Sequence, residues 1–64
     1  MNRADFDRAV REHGVWLPER VFLSLVRDGR PGTAEDIADD LDVLTVASVT
    51  GTLYRAEDLK PLIP

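Results

Sequence analysis

The stretch "TVASVTGTLYRAE", Thr45–Glu57, decides how this chain is put together. Read as an α-helix, it opens with Thr45 as a cap. It then carries Val46, Val49, Leu53 and Ala56 at intervals of three, four and three, one stripe of the 3.6-residue period. With that stripe turned inward, Ala47, Ser48, Gly51, Tyr54, Arg55 and Asp58 face outward. Gly51 fits such a helix least well, because glycine costs about 1 kcal/mol relative to Ala in a helix interior. Ala47 and Gly51 would leave a smooth patch that another surface could approach closely. Beyond the helix, "DLKPLIP" holds Pro61 and Pro64, and Leu59, Leu62 and Ile63 are expected to tuck this tail against the bundle.

Working back along the chain, Thr33 caps a short helix over about residues 34–41, with Asp36 placed to reach back in a capping box. Ile37, Ala38 and Leu41 point inward, and Leu41 is expected where three helices meet. Before the "RPG" loop, a helix over about 18–28 starts at Pro18, shows Val21, Phe22, Leu25 and Val26 on one face, and stops at Gly29. "VWLP" links it to a first helix over about 3–13, capped by Asn2 and carrying Phe6, Ala9, Val10 and His13 on one side. The expectation is an all-α single domain over residues 1–64: four short helices and a Pro-containing tail, with no strand.

Sixty-four residues without cysteine leave apolar packing or a partner to supply stability. No signal sequence and no run near the roughly 20 apolar residues of a membrane span is present, so a soluble, cytoplasmic protein is expected. The net charge of −4 is uneven: residues 1–30 hold six Arg against five acids, and residues 31–64 hold Arg55 and Lys60 against seven acids. Glu35 and Asp36 suit a helix N-terminus, whereas Asp40 and Asp42 oppose the dipole at the other end. Nothing fixes Asp39, Asp40 and Asp42 into a cage, so no metal is expected.

The segment Val21–Leu59, a little over half the chain, resembles the helix-turn-helix core of small bacterial and archaeal transcription regulators, including winged-helix families. "VFLSLVRDGRPGTAEDIADDLDV" followed by "TVASVTGTLYRAEDL" carries the resemblance, through Thr33, Ile37, Ala38, Leu41 and Val43. Three departures stand out. Asp42 replaces the glycine usual after that leucine, the apolar positions beyond fall one residue late, and "KPLIP" leaves no room for a wing.

The resemblance implies a DNA-binding regulator acting as a dimer. Its reading helix would offer Thr45, Ala47, Ser48, Gly51, Thr52, Tyr54 and Arg55, with Arg27 and Arg30 touching the DNA backbone. The charge points instead to a protein-protein interaction module, such as a phage or plasmid adaptor, an inhibitor or an assembly subunit, using an acidic surface. Catalysis is not expected. His13 is the lone histidine, Ser24 and Ser48 have no base nearby in sequence, and "RDGRPG" lacks the strand and Lys of a phosphate loop. No cofactor is implied. Trp16 reads as a core residue, a half-buried lid or a partner-binding anchor.

Overall fold

A computed structural model describes Met1–Pro64 and overturns the all-α expectation. The chain is mixed α and β. Its elements are helix α1 (Arg3–His13), strand β1 (Trp16–Pro18), helices α2 (Glu19–Val26) and α3 (Ala34–Asp40), strands β2 (Thr45–Ser48) and β3 (Gly51–Arg55), and a final 3-10 helix (Ala56–Leu62). The strands form one antiparallel sheet in the order β1-β3-β2.

The expected helix over 46–57 does not form, and its residues explain why. Thr45, Val46, Val49, Thr50 and Thr52 are β-branched, stiff against a preceding helical turn and at ease on a pleated surface. Gly51 has φ 123°, far from helical. Among non-glycines only Asp42 has a positive φ, so the Val49–Thr50 turn is not I′, II′ or II. Ser48 ahead of it and Gly51 behind it match the residues favoured at the ends of a type I turn. The Ser48 hydroxyl ties the turn, accepting from the Thr50 N–H at 3.3 Å and donating to the Gly51 carbonyl at 2.7 Å. The expected fourth helix, after which "KPLIP" leaves no room for a wing, is itself replaced by this hairpin.

The first three helices keep close to their expected bounds. Asn2 accepts from the Asp5 N–H at 2.8 Å. Thr33 and Asp36 form the capping box, with bonds of 3.1 and 3.3 Å. Asp42 takes φ 60°, the left-handed conformation the turn demands. Two details differ. Pro18 ends β1 in an extended conformation, and α2 stops at Val26 rather than running to Asp28. "VWLP", expected as a connection, supplies the third strand.

Leu17 and Tyr54 sit side by side on the sheet and are fully buried against the helices. Phe22 of α2 stacks on Tyr54, ring centroids 4.2 Å apart and planes 5° from parallel. Val26, Ile37, Ala38, Ala56 and Leu59 complete the centre of the core. Leu41 packs only at its margin, half-buried, so it is not the meeting point expected for it.

Two substitutions test this packing. The Tyr54 hydroxyl is buried without a hydrogen-bond partner, and an unmade bond of that kind costs about 1–3 kcal/mol. Tyr54→Phe should therefore hold or raise the melting temperature. Burial, then Glu19 and Glu35, push the phenol above its ordinary value. A raised pKa contributes stability that is complete below the unfolded value, about 10, and is lost as pH rises through the folded one. Tyr54→Phe should remove that alkaline loss, read as melting temperature against pH. Gly51→Ala meets no atom within 4 Å but must adopt φ +123°. It should destabilise the hairpin by at least about 1 kcal/mol, measured by urea unfolding.

Candidate interaction surface

The hairpin scatters the residues assigned to a reading helix. Thr45, Ala47, Ser48 and Gly51 are exposed along β2 and the start of β3, and Thr52 is half-buried beside them. Tyr54 is in the core and reaches no partner. Arg55 is not free. Its guanidinium grips the Asp58 carboxylate through Nε at 3.1 Å and Nη2 at 2.9 Å. Arg27 donates to the Gly32 carbonyl at 2.7 Å, and Arg30 to the Val26 carbonyl at 3.1 Å. Both brace the loop after α2, Arg30 by satisfying a carbonyl at the helix end.

A different surface is assembled by strand pairing. Trp16 opposes Arg55, and Pro18, Leu53 and Val46 lie in one row. Side chains alternate along a strand, and Leu17 and Tyr54 point to the helices. Trp16, Pro18, Leu53, Arg55 and Val46 therefore stand on the other face. Leu44 joins them, since its carbonyl accepts from the Arg55 N–H at 2.9 Å. Leu44 is 48% exposed, Val46 38%, and Val49 at the turn is fully open to solvent. In a chain that is 31% charged, Val43–Tyr54 is a run of twelve residues with no charge. That run was a visible signal for Leu44, Val46 and Val49, which sequence reasoning treated as core or passed over.

The open edge of this surface has a definite chemistry. Hydrogen-bonded pairs alternate along an antiparallel ladder. The Arg55–Leu44 bond sets the phase, so Leu44, Val46 and Ser48 turn their backbone groups to β3. Thr45 and Ala47 turn theirs to solvent. The edge carries no Lys, no Pro and no inward charge, the usual protections of an exposed strand.

Asp58 anchors the base of the hairpin. Besides Arg55, its carboxylate accepts from the Leu44 N–H at 2.8 Å. The Arg55 bond, then the Leu44 bond, hold its pKa below the ordinary value, and the same contact raises that of Arg55. Elsewhere, Glu35, Asp36, Asp39, Asp40 and Asp42 are exposed on α3 and the turn after it. No three His, Asp or Glu side chains converge as metal ligands would. His13 is exposed at the end of α1, and Trp16 is half-buried. No helix is long and apolar enough to cross a membrane. No protein-family model, curated protein or solved structure matches the chain.

Asp58→Ala should loosen the hairpin and lower the melting temperature at neutral pH. A depressed carboxylate contributes above its unfolded pKa, about 4, and loses that contribution as pH falls through the folded value. The melting curves of the wild type and the variant should therefore converge in acid.

Proposed function

We propose that the protein is a protein-protein interaction module that receives partner backbone along the open edge of β2. The uncharged β2 strand, exposed at every residue, carries this reading. An edge strand with unpaired Thr45 and Ala47 groups offers main-chain hydrogen bonds, and the apolar face beside it offers contacts for alternate side chains of an added strand. Docking a neutral strand there costs little charge desolvation. The acids of α3 would keep nucleic acid from the neighbouring surface and set the sign of charges tolerated in a partner.

A DNA-binding regulator acting as a dimer is the second reading. What remains in its favour is the pair α2 and α3, with the Thr33–Asp36 capping box and the left-handed Asp42 after α3, although β2 and β3 replace the reading helix that the resemblance implies. Against it, the exposed face of α3 carries Glu35, Asp36, Asp39 and Asp40, and Arg55 is neutralised by Asp58. Few phosphate contacts mean weak affinity.

The chain, immobilised at low density, should enrich extended peptides from a random displayed library. Ala47→Pro removes a donor that faces solvent, not β3, so the fold should survive. It should weaken the selected peptides about tenfold or more, near the worth of one lost edge bond with its steric clash. In parallel, pooled random DNA duplexes titrated at two salt concentrations should show no salt-dependent binding. Absence of enriched peptides together with salt-dependent DNA binding would reverse the ranking of the two readings.

A further inference from the structure

We infer that the partner on the β2 edge is a second copy of this chain, paired antiparallel through β2 about a two-fold axis at Val46. The inference rests on the edge-docking reading above and goes on to name the occupant.

Charge restricts where a second copy can meet the first. Each chain carries a net −4, so two copies repel unless they meet where no charge is forced together. The acidic face of α3 would set acids against acids, and α1 exposes both signs along its length. Val43–Tyr54 is the longest uncharged stretch, and β2 lies at its middle, exposed at every residue. The surface suited to self-association is thus also the one with unpaired backbone groups.

Geometry then favours one register. A two-fold interface must be self-complementary. Thr45 and Ala47 are the residues with outward N–H and C=O groups. Pairing Thr45 of each copy with Ala47 of the other satisfies all of them, and places Val46 opposite Val46. On the outer face, Leu53 and Val46 of one copy would then run into Val46 and Leu53 of the other as one apolar band. Leu44 would face Ser48 across the junction. The alternative centre at Thr45 would leave the Ala47 groups opposite Val43, which is buried and held by the bond from its N–H to the Ala38 carbonyl at 2.8 Å. The register centred on Val46 uses both open residues without disturbing Val43.

The test exploits the self-opposition of Val46, which is exposed enough to accept a charged side chain. The mass of the full chain is followed by sedimentation equilibrium over a concentration series, for the wild type, Val46→Lys, Val46→Glu and their equimolar mixture. The wild type should move from 7.2 kDa to twice that mass as concentration rises. Each variant should stay monomeric at concentrations where the wild type is dimeric. The mixture should recover the dimer, and that dimer should weaken with added salt while the wild-type dimer does not. Amide exchange needs no variant: Thr45 and Ala47 should gain protection with concentration, with Leu44 and Val46 unchanged.

A wild type that stays monomeric into the millimolar range overturns the second copy and leaves the edge to another partner, as the peptide selection reads it. A dimer that tolerates both charges and leaves Thr45 and Ala47 exchanging freely overturns the inference too. It also places the association away from the edge, which tells against the docking reading.

Discussion

The stack of Phe22 on Tyr54 holds the two layers of this protein together. Tyr54 lies in the central strand, with Leu17 beside it on β1 and Thr45 on β2, and Phe22 lies in the middle of α2. Their parallel contact fixes how far the sheet stands from the helices and which strand face is dry. With twelve buried residues in all, no neighbouring cluster can replace it. Large aromatics contribute most of the area in such a core, and a domain this small has little to spare. The burial of the tyrosine ring is bought at the cost of a hydroxyl with nothing to bond.

Everything outside that contact is arranged by strand alternation. Because Leu17 and Tyr54 face the helices, their neighbours Trp16, Leu53 and Arg55 must face away. Leu44 and Val46 follow by pairing. The apolar outer face is therefore a consequence of the core, not an independent patch. The Arg55–Asp58 contact sits at its margin and secures the Leu44 N–H, so one carboxylate holds both ends of the hairpin base.

The helices were legible because their ends are written in local chemistry. Asn2, Gly14 and Thr33 with Asp36 are signals that need no tertiary information, and they marked α1 and α3 almost to the residue. Asp42 was legible too, as a non-glycine in a left-handed turn. The hairpin was not, because Val46, Val49, Leu53 and Ala56 happen to fall at helical spacing. In the fold the four do not form one stripe: Val49 is at the turn, Val46 and Leu53 are on the outer face of the sheet, and Ala56 is in the core. The competing signs were the density of β-branched residues and the cost of Gly51 in a helix. The site went astray with the element. Tyr54 was assigned to a surface by a helical wheel that does not exist. Arg55 looked free although Asp58, three residues on, was within reach on the same outward face; in the fold the two pair at the start of the final 3-10 helix.

Pro18 gives the two borders of the sheet different fates. On β1 it sits opposite Leu53 in a pair whose backbone groups point outward, so its missing N–H falls on the outer border of the sheet. That border lacks a donor which the β2 edge keeps. The strand addition proposed above is therefore favoured on the β2 side, and a pair joined there presents only its poorer borders to further copies.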